Sequence, residues 1–201
     1  MTIERDPDRL VLFTDAVTAI AVTLLILPLV DVVGESRAEG LTAVQVVTEH
    51  TSQIWTFLLS FVVIARFWLV HHRLFTHVRA YSTTLMWLNF GWLLVVVVLP
   101  FPTEIIGAYP SGRFTSGLYI ATILVLALFQ TALAFAIHRD PAVENADDPV
   151  TQRELRASVV ASGLFAVAFL LAVLIPGVDF YALFVVFLAP VIGRGRARFA
   201  R

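Results

Sequence analysis

The chain has 201 residues, 59% of them hydrophobic and 14% charged, with a mean hydropathy of +0.86. That balance lies well beyond the range of soluble domains and excludes a water-soluble globular protein. There is no cysteine, which excludes disulfides and thiolate metal sites, and the formal net charge of −1 conceals a very uneven distribution of arginine, the only strongly basic residue present.

Six apolar blocks are long enough to cross a bilayer, at about 10–31, 51–72, 81–101, 115–138, 157–175 and 178–193. They predict an all-α membrane protein, a single domain of six transmembrane helices over 1–201. Met1 to Asp8 is a short charged lead-in, where Pro7 suits a helix start with Asp6 or Asp8 near the positive end of the dipole. From Leu10 to Val30 the first block provides about 31 Å of helix, enough to span. No small-residue cleavage site precedes the acidic stretch that follows, so this block is expected to stay in the mature protein. Asp15 interrupts it, flanked by Thr14 and Thr18 and preceded by Arg9. A carboxylate at that depth is costly unless it is paired or faces water. At about 100° per residue, Phe13, Ala16, Ile20, Leu24 and Leu27 share one stripe, with Asp15, Thr18 and Val22 roughly opposite. The helix therefore has two faces with different tasks.

Asp31 to Glu49 reads as an external acidic loop, broken by Gly34 and Gly40 and relieved only by Arg37. It either concentrates cations at a pore mouth or is simply a solvated loop. The second span ends in Arg66, Trp68, His71 and His72. Adjacent histidines point about 100° apart, and His77 lies too far along the chain to complete a compact site, so a metal is not expected. One of His71 and His72 is expected to hydrogen-bond Asp15 or Thr14, the other to meet headgroups and water. Arg66 can snorkel to the interface or pair with Asp15. Asn89, the strongly polar residue of the third span, is expected to join the same network, and Pro100 and Pro102 are read as stopping the helix. The loop from Glu104 to Arg113 is read as external and that from His138 to Glu154 as cytoplasmic. Small residues around Ala157 to Gly163 permit close helix contact, and the bulky sixth block follows after Pro176-Gly177 in a tight hairpin. If six helices alternate, most arginines, including the tail Arg194, Arg196, Arg198 and Arg201, share one side, while Arg37 and Arg113 take the other. The positive-inside rule then makes both termini cytoplasmic, the tail an anchor to anionic lipid rather than a nucleic-acid arm.

No serine nucleophile motif, paired carboxylates within a span, phosphate loop or metal-ligand spacing appears, so neither an enzyme nor a cofactor is expected. A channel or a transporter remains. One subunit offers no obvious internal pore, so a channel would need several subunits around an axis. The alternative is a proton-coupled secondary transporter using Asp15 with His71 or His72, and a membrane scaffold without flux is a third possibility.

Arg9, Phe13-Thr14-Asp15-Ala16-Val17, Ala19-Ile20-Ala21 and Thr23-Leu24-Leu25 resemble the first-helix signature of the transmembrane protein 175 family of potassium channels, R-x-x-x-F-S-D-A-V-x-A-I-A-x-T-L-L. Thr14 replaces the signature serine, keeping the hydroxyl and adding a methyl. Trp68, His71, His72 and Phe75 match the family's W-x-x-H-H-x-x-F ending of the second helix, and Asn89 with Pro100-Phe101 matches its third. The resemblance implies a potassium-permeable cation channel in a bacterial plasma membrane, a homotetramer whose first helices line a central pore. On that arrangement Ile20, Leu24 and Leu27 stack inward as apolar rings, with Thr23 near the constriction. Arg9, Phe13, Thr14, Asp15, His71, His72 and Asn89 would form the polar network that braces the pore helix. An apolar constriction gates by dewetting and selects modestly, because its side chains cannot replace an ion's hydration shell. Apart from the resemblance, the same stripe reads as ordinary packing or lipid contact. The expected partners are potassium ions, further copies of the chain and the bilayer, with no nucleic acid.

Overall fold

A computed structural model of the chain describes residues 2–3, 7–110, 112–175 and 177. The sixth apolar block, 178–193, and the arginine tail lie outside the described residues.

Helix α1 (Pro7–Leu24) starts at Pro7, whose missing N–H is no loss in a first turn, with Asp8 close behind. It stops at Leu24, and α2 (Leu27–Ala38) follows after a two-residue turn. The cause is Pro28, which has no N–H to offer the Leu24 carbonyl four residues earlier. The expected single span is thus two helices in series. Together, Pro7–Ala38 forms one run long and apolar enough to cross a membrane. Much of the expected external loop is also helical. α2 carries on through Asp31, Gly34 and Glu35, and α3 (Ala43–Glu49) opens with a capping box in which Thr42 and Gln45 bond each other's backbone.

α4 (Thr51–Phe75) leads through a short connection to α5 (Thr83–Val98), which is capped by the Ser82 hydroxyl on the Leu85 amide. Pro100 and Pro102 were expected to stop the helix, and α5 does end at Val98; a further helix, α6 (Pro100–Ala108), then starts at once, because proline is well tolerated in a first turn, and the loop that follows is correspondingly short. α7 (Arg113–Arg139) and α8 (Gln152–Leu174) complete the described helices. Among the described residues, five runs are long and apolar enough to cross a membrane: Pro7–Ala38, Thr51–Phe75, Thr83–Ala108, Arg113–Arg139 and Gln152–Leu174. A two-stranded antiparallel ribbon, β1 (Thr2–Ile3) with β2 (Tyr81–Ser82), ties the chain's start to the α4–α5 connection, pairing Thr2 with Ser82 and Ile3 with Tyr81.

α7 is the central helix. It packs on α8, α5 and α6, and 44% of its most apolar window is buried against 17% for α4 and for α8. Its Tyr119, Ile120, Ile123, Leu126, Leu133 and Ile137 are fully buried, as are Leu85, Trp92, Val96 and Leu99 of the α5 segment. A Cβ at Gly91 would overlap the Phe129 ring, so glycine there permits the close approach of α5 and α7. α7 and α8 are stitched by Thr131, whose hydroxyl reaches Ser162, and by Ser162, which donates to the Ala127 carbonyl. Of the small residues expected at this contact, Ser162 is buried while Gly163 faces open space. Among the described residues α1 packs along one face on α5 and α4.

Candidate functional site

The packed face of α1 carries Leu10, Thr14, Thr18 and Ala21, spaced three or four residues apart as a single helical stripe requires. Thr14 is fully buried, its hydroxyl donating to the Leu10 carbonyl at 2.8 Å, one turn back. The Thr14 oxygen accepts from Asn89 Nδ2 at 2.8 Å. Asn89 Oδ1 in turn lies 2.8 Å from His71 Nε2, and because that oxygen can only accept, the ring nitrogen donates. One directed chain of hydrogen bonds therefore runs from α4 through α5 to α1. His71 is 1% exposed and held between two aromatic rings, Phe75 and Trp92, each with its centroid 4.3 Å away.

Asp15 turns aside from that chain. Its Oδ1 accepts from Trp68 Nε1 at 2.7 Å, a short bond of the kind a carboxylate makes. A histidine had been expected to bond Asp15 or Thr14 directly; instead Trp68 bonds Asp15, and His71 reaches Thr14 only through Asn89. His72 is exposed and lies beside the Trp68 ring at 5.4 Å, so it borders the cluster from outside. Arg9 and Arg66 are both exposed, and among the described residues no ion pair joins either to Asp15. Phe13 is half-exposed and meets Phe90 of α5 edge to face at 6.0 Å. Of the expected network, Thr14, Asn89 and His71 are thus brought together directly, and Asp15 is held separately. Sequence reasoning gave Trp68 no role. The signal lay in its spacing, three residues before His71 and so on nearly the same helix face.

The opposite face of α1 is largely exposed among the described residues. Ile20 is 59% exposed and Leu24 41%. Leu27, 50% exposed, belongs to α2, so the apolar stripe crosses the turn rather than following one helix. Thr23 is exposed and donates its hydroxyl to the Ile20 carbonyl at 2.8 Å, leaving its oxygen as an outward acceptor.

A second buried cluster, missed in the sequence, joins α4 to two further helices, α6 and α7. Thr103 donates to the Leu99 carbonyl at 2.8 Å, so Ser60 donates to Thr103 at 2.8 Å and Tyr119 to Ser60 at 2.9 Å. Its donors and acceptors run in one direction from α7 through α4 to α6. Among the described residues, no group of three or more histidines and carboxylates is placed to hold a metal ion.

Comparisons agree with this architecture. The family model described as endosomal/lysosomal potassium channel TMEM175 matches residues 9–100, which take in α1 from Arg9 onward, α4 and α5 and hence the whole Thr14, Asn89 and His71 chain. A potassium channel of Streptomyces collinus is 30% identical over 146 residues, covering 68% of this chain and 69% of that one. The endosomal/lysosomal proton channel TMEM175 of Danio rerio is 26% identical over 125 residues, 62% of this chain but only 24% of the fish protein, so this chain spans about a quarter of that relative. The crystal structure of a lysosomal potassium-selective channel TMEM175 homolog from Chamaesiphon minutus superposes with a TM-score of 0.73 and 25% identity, over 94% of this chain and 96% of that one. With its membrane-length helices and this degree of likeness, the chain is a member of the TMEM175 family of channel proteins.

Proposed function

We infer that the chain is one subunit of a potassium-permeable cation channel, a homotetramer whose α1 helices surround a central pore. The observation that carries this reading is the division of α1. One face is fixed to α5 and α4 by Thr14, Asn89 and His71, and by Asp15 with Trp68, while Ile20 and Leu24 on the other face stay 59% and 41% exposed among the described residues. A helix so firmly braced on one side and bare on the other suits a position against symmetry mates. Ile20, Leu24 and Leu27 then form the apolar constriction, and Thr23 offers its oxygen to a passing ion. The exposed Asp31, Glu35 and Glu39 on α2 and its end would enrich cations at the outer mouth. In this reading the single domain spans a bacterial plasma membrane with both termini cytoplasmic, and its partners are potassium ions, three further copies and the bilayer.

Passive potassium flux from liposomes holding the purified protein, with no other gradient, is the expected result. Ile20→Asn or Leu27→Asn should raise the leak by wetting the constriction. Unchanged conductance in both variants would contradict a pore lined by these residues.

The coupled-transporter alternative has a specific observation against it. His71 points to Asn89 and His72 is exposed, so neither ring passes a proton directly to Asp15. A strict need for a second gradient in the same liposomes would nonetheless favour it, and silence would favour a scaffold.

A further inference from the structure

At the end of the molecule where α4 hands over to α5, one histidine sits outside the membrane-length helices with both ring nitrogens aimed at acceptors. His77, just beyond α4, is 6% exposed. Its Nδ1 lies 2.8 Å from the backbone carbonyl of Asp148 and 3.2 Å from Asp148 Oδ2, in the α7–α8 connection. A carbonyl only accepts, so Nδ1 carries a hydrogen. Its Nε2 faces Glu154 Oε1 at 3.6 Å and is buried without a hydrogen-bond partner. A neutral ring therefore turns a lone pair toward a carboxylate, whereas a protonated ring satisfies both sides.

The carboxylate opposite Nε2 is held in place. Glu154 Oε2 accepts from the Thr151 amide at 3.0 Å and hydroxyl at 2.7 Å, the capping box of α8, which leaves Oε1 for His77. The other charged groups around the ring are accounted for from each element. Arg73, in the last turn of α4, is 79% exposed and shares Glu154 Oε1 at 3.5 Å. Arg79 is turned away to the carbonyls of Ala142 and Pro141, and Glu144 is turned to His138 Nδ1 at 3.2 Å. His138 offers a contrast, since its Nε2 faces the Gln152 amide nitrogen, a donor, at 3.2 Å and is therefore satisfied in a neutral ring.

We propose that His77 is a proton-binding clasp: a proton on Nε2 closes the contact to Glu154 and pins the 140–151 connection and the start of α8 to the α4–α5 junction. The backbone already marks the seam, with the Asn145 amide donating to the His77 carbonyl at 2.8 Å and the Arg79 amide to the Val143 carbonyl at 3.0 Å. The sign follows from linkage. With Nδ1 already committed to the Asp148 carbonyl, an added proton turns Nε2 from a lone pair facing Glu154 into a donor, so acidification closes the clasp and loss of that proton opens it. The inference is independent of whether the chain conducts ions.

The test is amide hydrogen exchange of the full chain in lipid nanodiscs, corrected for intrinsic exchange, at about pH 8 and about pH 6, either side of the ordinary histidine value. Protection of the Arg79 and Asn145 amides should rise about tenfold at the lower pH in the unmodified chain, stay flat in His77→Gln, and keep its rise in His138→Asn. Should His77→Gln fail to fold, Asp148→Asn and Glu154→Gln, which remove the facing charges but keep the hydrogen-bonding shapes, are expected to shrink the rise to less than half. A flat response in the unmodified chain overturns the proposal, and so does a rise that survives in His77→Gln or in both carboxylate variants.

Discussion

Asn89 has the most to lose of any residue in the brace, because its amide serves two partners on two other helices. Replacing it with leucine keeps the branched shape but strands the His71 ring donor and one acceptor of Thr14 in a buried site. Asn89→Leu should therefore destabilise the protein by about 1–3 kcal/mol, the cost of leaving buried polar groups unpaired. Thermal unfolding in detergent measures this, and a melting temperature equal to the unmodified chain would show that the chain of bonds carries no net stability. Trp68 deserves a parallel test because its indole N–H is the hydrogen bond on Asp15. Trp68→Phe should cost about 1.5–3 kcal/mol, as expected for a bond to a charged group, while Asp15→Asn, which keeps an acceptor, should cost less than Asp15→Ala. Equal losses in the two Asp15 variants would mean that the carboxylate is held by something other than Trp68. Thr14 and Asn89 could be nominated from sequence because a buried hydroxyl and a buried amide demand partners. The spacing of Trp68 from His71 put it near the same face, but an indole reads first as an apolar body, and only the folded geometry shows that its N–H points to Asp15.

At the level of elements, hydropathy located the helices because about twenty apolar residues have few other uses in a chain of this composition. Their ends were less legible. Pro28 and Pro100 play the same part: each ends the helix before it and sits in the first turn of the helix after it, so a proline that breaks a span need not end its helical course. The Tyr119, Ser60 and Thr103 cluster was invisible for a different reason. Each residue comes from a different helix, and Ser60 lies more than forty positions from both its partners, so no local spacing connects them. The middle member should matter most. Ser60→Ala removes both contacts and is expected to cost more than Tyr119→Phe, which removes only the terminal donor at about 0.5–1.5 kcal/mol. Unfolding midpoints of the two single variants decide this, and a larger loss for Tyr119→Phe would mean that Ser60 is not the hub.

For the whole molecule, the account rests on what α1 faces when the subunit is in its assembly. Family membership and a shared fold bring the chain close to known channels, and the bare stripe of Ile20 and Leu24 supplies the local physical reason to put that helix on the axis. The lack of any native cysteine makes a direct test clean. Single cysteines are introduced at Ile20 and Leu24 on the bare face and at Leu25, which is 3% exposed, on the packed side, and potassium flux is recorded in liposomes before and after a small water-soluble thiol reagent. Block at positions 20 and 24 with no effect at 25 is the result expected of a pore-lining α1. Flux that persists unchanged after complete labelling of both Ile20→Cys and Leu24→Cys would contradict it.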